Sequence, residues 1–185
     1  MSKPKRIYDL EEKAKLHTKF CQITGYSIPV CYFLTAPCYG LKINEEYVGG
    51  FILKHGRLRQ LRAYQEMPEL WQAQYESEKY DFEMNTVDMT GYFLTDKKYG
   101  VKFTWFLVKT IFFCTKKYFI YSYDLDKDKL KKYYSYGKPR LLYSGYPVLI
   151  DGYGEQQPPV NVEILSKWGI LKIFLARTKK AILGK

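Results

Sequence analysis

The chain has 185 residues, a length that suits one domain, and 46 % of them are hydrophobic, which excludes a disordered chain. A domain of this size buries roughly 70 % of its unfolded surface, so it needs no metal or disulfide staple. The formal charge of +11 favours a polyanionic partner such as nucleic acid, anionic lipid, the phosphates of coenzyme A or an acidic carrier protein.

Cys21, Cys31, Cys38 and Cys114 lack the spacing of a zinc knuckle, and the sequence indicates no metal site. Met1–Leu10 is charged rather than apolar, and no uncharged apolar stretch approaches about 18 residues. The expectation is a cytoplasmic protein with reduced cysteines and no membrane-spanning segment.

In chain order, Asp9-Leu10-Glu11-Glu12 reads as a helix cap, and Gly25 supplies the stop. Leu10, Ala14, His17, Phe20 and Cys21 fall on one face of the helix between them. Two apolar runs follow, Val30–Leu34 and Tyr39–Ile43. Asn44-Glu45-Glu46 then separates Leu41-Lys42-Ile43 from Tyr47–Leu53, the pattern of a hairpin. Pro68 opens a second helix that includes Leu70, Trp71 and Tyr75. Asn85–Leu94 is a strand in which Val87 and Met89 alternate with Asp88 and Thr90.

Phe103–Phe113 has the length of a buried helix, Tyr118–Tyr123 is β-rich, and Asp126–Tyr136 is a lysine-rich helix ending at Gly137. Arg140–Tyr143 and Val160–Leu165 are late strands. A helical crossover through Phe103–Phe113 implies that its two flanking strands are parallel. The tail Ile170–Leu183 fits either a helix or, over its first six residues, a strand.

Lys97, Lys98 and Lys102 surround Gly100 where a strand turns into a helix. A helix N-terminus offers unpaired N–H groups and about half a positive charge, so it attracts phosphate. This order of elements, from about Tyr39 to Tyr143, resembles the GNAT superfamily of N-acyltransferases. Leu41–Phe51, with Val48-Gly49-Gly50, is similar to the family's second and third strands. Tyr92–Leu107 is similar to its fourth strand, pyrophosphate loop and third helix, and Leu130–Gly137 carries its Y-x-x-G helix pattern.

The resemblance implies one α/β domain over residues 1–185, with a central mixed, splayed sheet flanked by helices. Residues 160–185 add a late strand and a basic amphipathic extension. It further implies transfer of an acyl group from acyl-CoA or another phosphopantetheine thioester to an amine. The family's Q/R-x-x-G-x-G/A loop maps onto Lys97, Lys98, Tyr99, Gly100, Val101 and Lys102. Lys102 departs from the pattern, standing where a second small residue belongs. Either the backbone approaches the pyrophosphate less closely there or the lysine adds a charge contact, and an acyl carrier protein remains a second possible donor.

The resemblance also implies that Tyr134 takes the position of the family's tyrosine that often reprotonates the leaving thiolate. A lysine-type amine is about 3.4 pH units from neutrality at pH 7, roughly 4.6 kcal/mol, so a base is expected as well. Glu83, Asp88 and His55 are the candidates, and Asp88 is favoured because strand alternation aims it at the central cleft.

The aromatic density at Phe93, Phe103, Trp105, Phe106, Phe112, Phe113 and Phe119 points to a fatty acyl chain, unless these residues only fill the core. Some GNAT-like maturases attach fatty acids to lysine or ornithine side chains of ribosomal peptides, and the chain is compatible with them. The acceptor is then an amine-bearing small molecule or peptide. A competing reading is a basic nucleic-acid-binding module without catalysis, built on the Tyr-interleaved cluster Lys127–Arg140, although no RNP, zinc-finger or helix-turn-helix signature occurs. A third is a protein of this fold that has lost catalysis and serves as an interaction partner. The basic tail Ile170–Lys185 suits an anionic membrane or an acidic carrier protein.

Overall fold

The computed structural model describes residues 3–75, 85–126, 128–148 and 158–183. Seven strands form one sheet in the order β1-β2-β3-β4-β5-β7-β6. They are β1 (Lys5–Ile7), β2 (Cys38–Ile43), β3 (Glu46–His55), β4 (Thr86–Leu94), β5 (Tyr118–Asp124), β6 (Arg140–Gly145) and β7 (Val160–Ser166). Every neighbouring pair is antiparallel except β4 and β5, which are parallel as the crossover between them requires.

Helix α1 (Leu10–Thr24) starts where the Asp9 carboxylate accepts the Glu12 N–H at 2.9 Å and ends at Gly25, whose φ of 74° closes it. Its buried residues are Leu16 and Phe20, whereas Leu10 is exposed, so the core-facing stripe is narrower than the sequence pattern suggests. The run Val30–Leu34 is a short helix, α2. Asn44 and Glu45, at φ 48° and 63°, turn β2 into β3. Helices α3 (Arg62–Gln65) and α4 (Glu69–Gln74) follow β3, and Pro68 caps α4. Leu70 is largely exposed, so α4 contributes little to the core.

The crossover is α5 (Gly100–Phe113), and the lysine-rich segment forms α6 (Asp128–Ser135). The tail resolves as helix α7 (Lys167–Leu183), with its inner side against α5 and α6. Strand β1, an edge strand of 3 residues, is too short to show a pattern in sequence.

Alternation along β3 and β5 sorts the core onto two faces. Phe51, Leu53, Phe119 and Tyr121 pack under α5 and α7 with Phe103, Leu107 and Phe174. Ile52 lies on the other face with Leu16, Phe20 and Phe33, and Ile120 lies there with Leu61, Tyr64 and Met67.

Strand β4 does not keep to one alternation. Ile52 pairs with Thr90 but Gly50 pairs with Phe93, so two steps on β3 answer three on β4. The extra residue is a β-bulge, and Gly91 within it sits at φ 66°. Val87, before the bulge, belongs to the α5 face, whereas Phe93, after it, packs with α1 and α2.

The pairing with β5 stops short of the bulge. Only Thr86, Val87 and Asp88 pair with Tyr118, Phe119 and Ile120, and beyond them the two strands part. A Cβ at Gly91 would lie 3.0 Å from Phe33 Cζ in a left-handed backbone conformation. Gly91→Ala is therefore expected to lower unfolding stability by about 1–2 kcal/mol, read from urea denaturation, with an unchanged m-value.

Candidate functional site

The parting of β4 and β5 opens a cavity of about 290 Å³, near the lower end of the roughly 300–1,000 Å³ typical of small-molecule sites. Met89, Thr90, Gly91 and Tyr92 edge it on β4, and Tyr121, Ser122, Tyr123 and Asp124 edge it on β5. One side is walled by Phe20, Thr24 and Tyr26 with Arg62, the other by Thr104, Leu107, Tyr134, Ile170 and Phe174. Because these walls come from the cores on both faces, the cavity reaches through the sheet.

On the α5 face three phenols gather. Tyr134 packs against Tyr121 and Tyr123, with ring centroids 4.5 and 5.2 Å away. Tyr121 and Tyr123 donate hydrogen bonds of 2.8 and 2.9 Å to the two carboxylate oxygens of Glu163 on β7. Burial, and for Tyr121 the Glu163 charge next, raises both phenols, Tyr123 to about 12 and Tyr121 further. Both therefore stay protonated and committed to Glu163, while Tyr134 lines the cavity beside them. Thr104 lines the cavity too, and its buried hydroxyl has no partner among the described residues.

On the opposite face Tyr26 donates a short hydrogen bond to Asp124, and both line the cavity. Burial, then the bond to Asp124, pushes the Tyr26 phenol well above its ordinary value. Arg62, also buried on this wall, pairs with Glu66 at 2.6 Å and donates to Thr90 Oγ1 at 3.2 Å. Asp124, Tyr26 and Arg62 did not emerge from the sequence. The one available signal was that Asp124 ends a tyrosine-rich strand.

Asp88 lies at the vertex of the gap but not on the cavity wall. It is fully buried, and its Oδ2 accepts from Tyr32 Oη at 2.8 Å and from the Ala63 N–H at 3.0 Å. Oδ1 has no partner among the described residues. The alternation does turn Asp88 to the α2–α3 face, but Tyr32 and α3 fill the space a substrate would need. Asp88 thus ties α2 and α3 to the sheet, since Tyr32 Oη in turn accepts the Arg62 N–H at 3.1 Å.

His55 ends β3 opposite Val87, away from the cavity, where desolvation and then the Lys116 charge lower its pKa. Glu83 lies outside the described residues.

The loop around Gly100 is a single 3-10 turn, Lys97–Tyr99, leading into α5. The Lys98 N–H donates to the Asp96 carboxylate at 3.0 Å, the Tyr99 N–H to the Asp96 carbonyl at 3.1 Å, and the Gly100 N–H to the Lys97 carbonyl. The three amides at 98–100 are thus engaged within the turn, contrary to a cradle built on all of them. Lys98 also pairs with Asp96 at 2.9 Å, an exposed contact of small energy.

What remains to attract phosphate is the positive end of α5 with exposed Lys97, exposed Val101's backbone and half-buried Lys102. Gly100 is helical, and a Cβ there would meet only Leu94 Cδ2, at 3.8 Å. Neither backbone nor packing within the chain demands glycine at that point.

No protein-family model matches the sequence, and no curated protein is similar to it in sequence. Solved structures of the same fold are found. FeeM, an N-acyl amino acid synthase from uncultured soil microbes, superposes with a TM-score of 0.60 at 14 % identity, over 96 % of this chain and 99 % of that one. An N-acetyltransferase from Staphylococcus aureus gives 0.57 at 12 % identity, over 90 % and 98 %. NAA60 of Arabidopsis thaliana, in complex with acetyl-CoA, gives 0.57 at 15 % identity over the same shares. The fold is thus GNAT-like, a single mixed sheet flanked by helices.

Burial raises the Asp88 carboxyl from 3.8 to about 6. The folded state keeps a proton that the unfolded chain releases, so stability present below pH 4 is lost as pH rises through 6. Asp88→Asn is expected to remove about 2 kcal/mol of that pH dependence between pH 4 and 7, measured by denaturation at graded pH.

Proposed function

We propose that the protein is an N-acyltransferase that moves an acyl group from an acyl-CoA thioester to an amine. The observation that carries this reading is the through-sheet cavity, with a phenol on one face and a carboxylate on the other. A thioester entering from the α5 face meets Tyr134 and the unpartnered Thr104 hydroxyl, with its phosphates toward Lys97, Lys102 and the start of α5. Glycine at residue 100, which the chain's own packing does not require, leaves room for that approach.

An amine entering from the α1 face meets Asp124. In the reaction the amine nitrogen forms a bond to the thioester carbonyl carbon, and its proton passes to the Asp124 carboxylate. The C–S bond then breaks, and the departing thiolate takes the proton of the Tyr134 hydroxyl. Exchange with solvent restores both side chains. A phenol is intrinsically a weaker acid than a thiol, so Tyr134 contributes mainly by its position beside the departing sulfur. Asp124 replaces Asp88 as the amine-facing group because Asp88 is walled off by Tyr32 and Ala63.

The donor is a medium- or long-chain acyl thioester in this reading. Leu107, Leu165, Ile170, Ile173 and Phe174 give the cavity an apolar side larger than an acetyl group needs. FeeM, which has the same fold, is an N-acyl amino acid synthase, and a small amine or a lysine-containing peptide is the acceptor class to test first.

Incubation with acyl-CoA of graded chain length and such amines is expected to release free thiol and add one acyl mass to the acceptor. Tyr134→Phe should lower kcat by roughly 100-fold with KM for the donor little changed. Thiol release no faster than hydrolysis for every pair tested, or full activity in Tyr134→Phe, would exclude the reading.

A further inference from the structure

Helices α5 and α7 lie side by side and antiparallel, since Trp105 meets Phe174 at 5.2 Å between ring centroids and Phe112 meets Trp168 at 6.0 Å. Their inner sides are spent on the core and the cavity, through Phe103, Leu107, Ile170 and Phe174. Their outer sides are not polar. Phe113 is 80 % exposed, Trp168 64 %, Val101 61 % and Leu175 56 %, and Trp105 and Phe112 are nearly half exposed.

Single exposed apolar residues are ordinary on a protein surface, and Tyr8 and Leu70 are examples here. Six large ones on two adjacent helices, four of them aromatic, are a different case. Trp168 and Leu175 are seven residues apart on α7, as are Trp105 and Phe112 on α5, so each pair stacks along one helix side.

Cations border this apolar surface. Lys109, four residues after Trp105, holds its ammonium 6.0 Å from that ring, and exposed Lys172 and Lys179 follow Trp168 and Leu175 at helical spacing. No acidic residue occurs between Lys97 and Tyr123 or from Ile164 to the end of the chain. Lysine stems flanking aromatic rings, on two helices that carry no acidic residue, match the headgroup region of a lipid bilayer, where apolar rings enter the acyl boundary and ammonium groups meet phosphate.

We infer that the joined outer face of α5 and α7 is a docking surface for an anionic lipid bilayer. No helix among the described residues is long and apolar enough to cross a membrane, so attachment is peripheral. A nucleic acid could stack bases on the rings and meet the lysines, but it would leave the aliphatic Val101 and Leu175 among them without a role. The inference concerns a surface and does not depend on the acyl-transfer reading, because its test needs no turnover.

The test is co-sedimentation of the full chain with vesicles of phosphatidylcholine alone or mixed with phosphatidylglycerol, at low and high salt. Binding is expected to the mixed vesicles, at least about tenfold weaker to phosphatidylcholine alone, and weaker as salt rises. Phe113→Glu with Trp168→Glu should abolish it, and Lys172→Glu with Lys179→Glu should weaken it and flatten its salt dependence. Both variants alter exposed side chains, and circular dichroism checks that they fold. Brominated lipid should quench Trp105 and Trp168 fluorescence but spare Trp71, which packs on Tyr143 elsewhere.

The inference is overturned if mixed vesicles do not bind at low salt, or if the Phe113→Glu, Trp168→Glu protein binds as well as the parent. It is equally overturned if an acidic carrier protein or single-stranded nucleic acid binds this face while vesicles do not.

Discussion

Among the described residues, three residue pairs, Thr86–Tyr118, Val87–Phe119 and Asp88–Ile120, with a hydrogen bond from the Lys117 N–H to the Asn85 carbonyl just before them, join β4 to β5. The rest of the molecule is arranged around the shortness of that ladder. Strand β4 stays with β3 to Leu94 while β5 stays with β7 to Asp124, so each strand is held by its other neighbour and the gap between them persists. The bulge at Gly91 makes the divergence compatible with a continuous β3–β4 pairing, because the added residue reverses which face the rest of β4 presents.

The gap would be unfavourable if it exposed strand edges to an apolar interior, and polar side chains from both faces answer that problem. Alternation along β5 sends Tyr121 and Tyr123 to the α5 face and Asp124 to the α1 face, so one strand furnishes different chemistry on the two sides. The buried acids are each given partners: Glu163 two phenols, Asp88 a phenol and an amide, Glu66 the Arg62 guanidinium. This network fixes the tyrosines and the Arg62 turn around the cavity, which orients the groups that line it.

Local signals carried much of the architecture. Asp9 and Gly25 bracket α1, Asn44-Glu45 mark the hairpin turn, and an apolar segment of helical length between two strands dictates their parallel pairing. Signals failed where tertiary context decides. Five apolar residues at Val30–Leu34 have no period to read, and β1 is three residues of edge pairing.

Strand alternation aimed Asp88 at the cleft but could not show that it lies off the cavity wall, with Tyr32 and Ala63 in the space before it. Tyr134 was reachable because its helix has a recognisable pattern. Asp124 was not, because its place on the cavity follows from where two strands diverge, a property of neither strand alone. The paired amides at 98–100 were hidden in the same way: Asp96 looks like a plain loop residue until its carboxylate is seen to take the Lys98 N–H.

The three-pair ladder also divides the sheet into two stretches that are each continuous in sequence, β1 to β4 before the crossover helix and β5 to β7 after it. Within each stretch every pairing is antiparallel, and the seam between them is the one parallel match in the sheet. A small molecule lodged in that seam touches both stretches at once. Its association free energy adds to the little backbone bonding that unites them, so occupancy acts as a clasp, raising the work of prying the two halves apart by RT ln(1 + [L]/Kd).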